Sequence, residues 1–413
     1  MNLVVTRVTV QRQCRICGNG RLIPILDLGA QPPANGFLTA RQLKRPEARF
    51  PLVVQFCESC SLLSLRHTVD SRVLFKNYRY ETGASAPLVA HFAEEARMIE
   101  RQFIRNKSDL VVEFGSNDGA LLSALKGTCR VLGVDPAKSV ATLAKKRGVL
   151  TVTAFFGEKS AERIRKRYGQ ARVIIANNVF AHIDDVHDVM RGITALLRPD
   201  GVFISESHWV GNLIGEGGFD QIYHEHLSYY SLHALRCLAH EHGLVVTKVE
   251  LVPIHGECLR VSMRKQGVSG ASVKRLLRRE KSLGLTQLSI FLTFARKADK
   301  TRMTLRQLIN KLIRKKNTIA GYGAPAKGNT LLNYLQIGKR DIAFITDTTL
   351  SKQGFFTPGT RIPVVSPDML KTNPPDYLLL LAWNYADAIL KKEKTLRAKG
   401  VKFIIPVPTV RML

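Results

Sequence analysis

The segment from Gln221 to Tyr230 packs two imidazoles (His224, His226), the carboxylate of Glu225 and three phenols (Tyr223, Tyr229, Tyr230) into ten residues. Histidine has the unperturbed pKa to take a proton near neutrality, and a neighbouring carboxylate can orient its ring and stabilise imidazolium. The segment therefore reads as a general-base constellation. A metal site fits less well, because residues two apart diverge on a helix and the H-E-x-x-H spacing of zinc hydrolases is not met. The plainer alternative is a polar helix start with solvated histidines.

Two further groups carry chemistry. Cys14-x2-Cys17 and Cys57-x2-Cys60 each point two thiolates at one tetrahedral ion, and four Cys close a zinc sphere, so the metal is expected to be structural. Cys129, Cys237 and Cys258 stand alone and read as small buried hydrophobes. A strand candidate ending at Glu113 runs into Gly115-x-Asn117-Asp118-Gly119 and then a helix, while the next strand ends at Asp135. Glycines there let backbone approach a ligand, the carboxylates of Glu113 or Asp118 suit an ammonium, and Asp135 suits two ribose hydroxyls. A plain strand-turn-helix with Gly for geometry is the alternative. Gly321-x-Gly323-x-x-Ala326 meets the dinucleotide fingerprint, which the first loop does not.

These groups need a scaffold, and the composition supplies one. At 413 residues the chain is long enough for two or three cores, and its 45% hydrophobic content is ordinary for globular protein. No apolar run approaches the roughly 20 residues of a membrane span, and the N-terminus lacks a secretory pattern. A cytoplasmic protein without a membrane partner is expected, with a monomer favoured. The net charge of +29 raises nucleic-acid binding, yet Lys and Arg are spread along the chain and no basic arm occurs, so no nucleic-acid partner is expected.

Residues 1–73 hold the Cys pairs around a Gly/Pro-rich middle and read as a small loop-rich module held by metal. Over 74–265, strand candidates at Leu110–Gly115, Arg130–Asp135, Val173–Val179, Gly201–Ser207 and Leu244–Leu251 alternate with helical patterns. That alternation predicts an α/β fold with a mostly parallel, helix-covered sheet. Over 266–413, two basic helices lead into a smaller strand-helix-strand unit starting at Thr318.

Taken together, CRICG, LDLGAQPPANGFL, CESC, VVEFGSNDG, ANNVFAHIDD, ESHWVGNLI, FDQIYHEHLSYYS, GYGAPAKGNT and KQGFFTPGTRIPV resemble the deoxysugar C-methyltransferases over nearly the whole chain. The resemblance implies a zinc module, a class I S-adenosylmethionine-binding middle domain, and a C-terminal Rossmann-like domain that helps to hold a sugar nucleotide. It implies methylation of a thymidine-diphospho-4-keto-6-deoxysugar, often at carbon 3. Glu113, Gly115, Asn117, Asp118, Gly119, Asp135 and Asn178 would then border the cofactor. His226 would be the base, assisted by Tyr223 and Glu225. His182, His224 and a tyrosine from Tyr78 or Tyr80 would line the sugar pocket. The loop at Gly321 would cradle the substrate diphosphate, with Lys327 as counter-charge, or else bind a nucleotide of its own. HGECLRV departs from the pattern, with Glu257 and Cys258 where relatives carry smaller or neutral groups. The rival readings are an O- or N-methyltransferase on a sugar nucleotide and, more distantly, a zinc-containing nucleic-acid-binding protein.

Overall fold

The computed structural model describes residues 8–74, 83, 86–254 and 256–413. Five strands open the chain: β1 (Val8–Val10), β2 (Leu22–Gln31), β3 (Phe50–Cys57), β4 (Leu63–Leu65) and β5 (His67–Val69). Strands β2, β3 and β4 form an antiparallel sheet, so this region is less loop-rich than its sequence suggests. The alternation is hidden because β2 slips register against β3 between Pro24 and Leu26 and again between Asp27 and Ala30. Each slip disturbs the period-two pattern that marks a strand.

The middle of the chain supplies β6 (Leu110–Phe114), β7 (Arg130–Val134), β8 (Thr151–Val152), β9 (Ala171–Asn177), β10 (Leu197–His208), β11 (Ser228–Tyr229), β12 (Val245–Val252) and β13 (Cys258–Arg264). Seven of these form one sheet in the order β12-β13-β10-β9-β6-β7-β8, with β13 antiparallel to both neighbours. This is the class I methyltransferase arrangement, a parallel sheet with one reversed strand near its edge. Strands β6 and β9 are buried along their whole length, which is why they read as apolar runs. Phe92, Ala96, Ile99 and Phe103 follow helical spacing on Ala86–Phe103 and pack with Val111, Val173 and Ile175. Strand β11 leaves the large sheet and pairs with β4.

Helices Ala271–Ser282 and Leu288–Arg314 follow, as expected, and Phe291 of the second stacks on Phe56 of β3 at 4.6 Å. The last sheet comprises β14 (Ile319–Tyr322), β15 (Ile345–Thr346), β16 (Val364–Val365), β17 (Tyr377–Leu380), β18 (Lys402–Ile405) and β19 (Arg411–Met412). Its order is β16-β15-β14-β17-β18-β19. The first five strands of the two α/β sheets are therefore arranged identically, with the third, second, first, fourth and fifth side by side. Among the described residues no helix is long and apolar enough to cross a membrane.

Candidate active site

Strand β6 has β7 on one side and β9 on the other, so the chain reverses its winding at β6 and a crevice opens beyond the strand ends. Gly115 and Gly119 line it with φ of +66° and +73°. A Cβ on Gly115 would lie 2.8 Å from Val179, so only glycine lets the β6 turn meet the end of β9. Asp135 accepts from the Asn117 and Ala137 amides, each at 2.9 Å, and so fixes the loop. Asp118 accepts from the Gly83 amide at 2.9 Å and from Arg147 at 3.1 Å.

Four buried acceptors around this loop meet no donor among the described residues: Glu113 Oε2, Asp118 Oδ1, Asn177 Oδ1 and Asn178 Oδ1. Burial, with Glu95, Asp135 and Asp118 nearby, pushes the Glu113 carboxyl well above its usual range. Such a set calls for a ligand that brings donors and positive charge. The ammonium, sulfonium and ribose hydroxyls of S-adenosylmethionine fit it.

Behind the loop lies an ion network that sequence reasoning did not single out. Glu206 takes His91 at 2.9 Å and Arg260 at 2.9 Å, and Asn177 donates to Glu95 at 2.5 Å. His91, Glu95 and Glu206 are close enough to share a metal, but Arg260 already neutralises the carboxylates. The network ties helix Ala86–Phe103 to the end of β9 and so holds Asn177 and Asn178 in place.

Three residues beyond Val179, His182 reaches the Gln221–Tyr230 segment, its ring 5.0 Å from that of His226. That segment is a turn between a 3-10 helix (Phe219–Gln221) and β11, rather than a helix start. His226 Nδ1 sits 3.2 Å from the Gln221 carbonyl oxygen, which can only accept, so Nδ1 carries the proton and Nε2 the lone pair. The Tyr223 hydroxyl donates to that Nε2 at 2.9 Å. His182 is fixed likewise: its Nδ1–H donates to the Glu225 backbone carbonyl at 2.6 Å, and burial depresses its pKa. His182 is thus a neutral ring held by the Glu225 and Asn178 backbone, which suits positioning better than polarising a carbonyl.

Glu225 orients His182 through its backbone, not through its carboxyl. The carboxyl accepts from Asn35 Nδ2 at 2.8 Å, and burial pushes its pKa up to about 7. His224 turns away from the other two rings. It lies edge-on to Phe50 and donates to the Phe50 carbonyl at 3.1 Å, and burial brings its pKa down to about 4. Tyr78 and Tyr80 lie outside the described residues. One neighbour was missed from sequence: His208, at the end of β10, stands 5.5 Å ring to ring from His226. With His226, Gln221 and Tyr229 it borders a void of about 10 Å³, room for one water. Its signal was the strand end in ESHWVGNLI, where the crevice rule places ligands.

The four thiols of Cys14, Cys17, Cys57 and Cys60 lie within 4.8 Å of one another. The Cys14–Cys60 and Cys17–Cys57 sulfur distances are 3.4 and 3.6 Å, close to the ~3.8 Å edge of a tetrahedron with zinc–sulfur bonds of about 2.3 Å. All four are free thiols and complete a closed sphere, as a structural ion requires.

In the last sheet, the Gly321 loop ends β14, and Asp347, just after β15, accepts from the Ala324 and Thr349 amides at 2.7 Å each. A cavity of about 250 Å³ opens there, lined by Gly323, Asp347, Thr348, Thr349 and Lys352. Lys327 points elsewhere: its Nζ lies 3.9 Å above the Trp383 ring and bonds Asn384 at 2.5 Å. Trp383 donates to Asp220, beside the catalytic turn, at 2.6 Å.

Residues 14–75 match a family described as a candidate zinc binding domain, 89–249 a methyltransferase domain, and 253–408 a C-methyltransferase C-terminal domain. C-methyltransferase NovU of Streptomyces niveus is 38% identical over 405 residues, 97% of this chain and 96% of that protein. Among solved structures, a SAM-dependent methyltransferase of Anabaena variabilis aligns with 46% of this chain and 90% of its own, at 15% identity and a TM-score of 0.37. Magnesium protoporphyrin IX methyltransferase of Synechocystis aligns with 48% and 92%, at 11% identity and a TM-score of 0.34.

Proposed function

Because the chain belongs to the C-methyltransferase family, we propose that its acceptor is a nucleotide-linked 4-keto-6-deoxysugar, bound as the thymidine diphosphate and methylated at carbon 3. It is an S-adenosylmethionine-dependent C-methyltransferase with a zinc-binding N-terminal domain. S-adenosylmethionine supplies an electrophilic methyl group when bound. The chain must supply a carbon nucleophile, and a carbon beside a ketone becomes one by losing a proton.

His226 Nε2 takes that proton. The C–H electron pair forms the carbon–carbon double bond of an enolate, and the carbonyl π pair moves onto oxygen. Tyr223 marks the direction of the His226 lone pair, and His182 presses on the same ring to hold it. Donors must meet the oxyanion, and alignment of methyl and carbon supplies a large entropic advantage. The C-terminal domain, 266–413, holds the nucleotide diphosphate through its Gly321 loop and Lys352.

One observation carries the reading: the Gln221 carbonyl fixes the basic nitrogen of His226 in a turn where that ring packs on His182, three residues beyond the Val179 that meets Gly115. The test is deuterium wash-in at sugar carbon 3 with cofactor omitted. Wild type should exchange that hydrogen, and His226→Ala should lose about a hundredfold or more in exchange and turnover. Undiminished exchange in His226→Ala would remove it as base. Carbon-methyl NMR of the product locates the new bond.

A further inference from the structure

We propose that Asn35, on the Pro33–Gly36 turn of the zinc module, positions the Glu225 carboxyl as hydrogen-bond donor to the ketone oxygen of the substrate. This rests on the proposed function and names the oxyanion donor that the function requires.

The inventory of the pocket leads there. His226 offers a lone pair, His182 is held by backbone carbonyls, and the Tyr223 hydroxyl is directed at His226. None of these three aims a proton at an oxyanion, and the buried Tyr229 hydroxyl beside them is a phenol that burial makes a still weaker acid than a carboxyl. Glu225 is 6% exposed, and its titratable neighbours in the turn bring no positive charge, since burial keeps His182 and His224 neutral. Burial pushes the carboxyl up to about 7, against the lowering effect of Asn35, so a substantial share of the group keeps its proton at neutrality.

Asn35 settles which oxygen carries that proton. Its Nδ2–H donates to Oε1 at 2.8 Å, and an oxygen receiving that bond serves as the carbonyl end of the acid. The hydroxyl therefore resides on Oε2, for which no other partner occurs among the described residues. As the enolate forms, its oxygen gains charge and the Oε2–H bond to it strengthens. No proton need transfer.

The turn that carries Asn35 is itself fixed. The Gly36 amide donates to the Pro33 carbonyl at 2.9 Å, and Asn329 of the C-terminal domain, almost wholly buried, donates to the Ala34 carbonyl at 2.7 Å. The backbone on either side of the exposed Asn35 is thus clamped from the far side. This accounts for PPANG in the N-terminal module, a motif that zinc binding leaves unexplained.

The experiment compares Asn35→Ala, Glu225→Ala, the double variant and Glu225→Gln as full-length, zinc-loaded proteins. Asn35→Ala should lower kcat about tenfold, with KM and S-adenosylhomocysteine affinity changed less than about twofold. The double variant should be no slower than Glu225→Ala, because Asn35 then has nothing to position. Removing a donor to the carboxylate weakens the acid, so the alkaline limb of the Asn35→Ala rate profile should move to higher pH. That limb should vanish in Glu225→Gln. Losses that add in the double variant, or an unmoved limb, overturn the proposal. Should Asn35→Ala shed zinc, Asn35→Asp carries the same test, since a paired carboxyl also raises the limb. Infrared titration of the carboxyl band abolished in Glu225→Gln gives the ionisation of Glu225 without substrate. A midpoint unchanged by Asn35→Ala rejects the proposal even if every keto-sugar proves inert, an outcome that would fall on the proposed substrate alone.

Discussion

The Gly115 loop and the Gly321 loop occupy the same place in two sheets of the same strand order, yet they prepare for opposite charges. In both, the acid beyond the second strand holds a loop amide: Asp135 takes Asn117, and Asp347 takes Ala324. The first loop is then ringed by buried acceptors lacking donors, and burial leaves Asp135 above its usual range despite the Ala137 and Asn117 amides. The second faces Lys352. Burial would raise Asp347, but Lys352 and the loop amides bring it below its usual range. The first loop is short of donors, and the second already carries a cation. Strand order makes the crevice, and a few side chains choose what enters it.

Exchanging charge at one loop should therefore leave the other untouched. Lys352→Glu should weaken thymidine diphosphate binding about a hundredfold and leave S-adenosylhomocysteine binding as it was, read by calorimetry. An equal loss of both ligands would break the contrast. Glu113→Gln should do the reverse, lowering cofactor affinity about tenfold and sparing the diphosphate.

Cofactor affinity should also rise with pH. Burial raises Glu113, which must ionise to receive the cofactor ammonium, so cofactor binding should strengthen as pH rises. A cofactor affinity that stays flat would refute the assignment. The smallest effect belongs to Asp347→Asn. It should cost about 1–2 kcal/mol of stability through the lost amide bond, while diphosphate affinity rises about twofold as Lys352 loses a competitor. Thermal melts and calorimetry read both.

The sequence disclosed what is local. Each Cys pair, the Glu113–Gly119 loop and the Tyr223–His226 cluster carry their chemistry within a few residues, and the buried strands β6 and β9 announce themselves as apolar runs. What it hid depends on distance along the chain. Asn35 and Glu225 are 190 residues apart, and no periodicity in either segment signals the other. Strand β13 was missed because Arg260 and Arg264 interrupt its apolar run, although Arg260 is needed by Glu206. His224 was grouped with its neighbours by adjacency, but the turn rotates it into Phe50. Cys258, noted as a departure, proves wholly buried with its thiol on the Ile254 carbonyl, as a small core residue would be.

Two residues of pairing, Ser228 with Ser64 and Tyr229 with Leu63, stitch the end of the His226 turn into the sheet that bears the four thiols. Anyone building chimeras between relatives to change the accepted substrate will meet this seam first. A swap at the apparent border after residue 73 would pair one parent's edge strand with another parent's His226 turn. Hybrids that inherit 14–65 and 219–230 from a single parent should retain turnover, whereas those divided between parents should bind cofactor and stall.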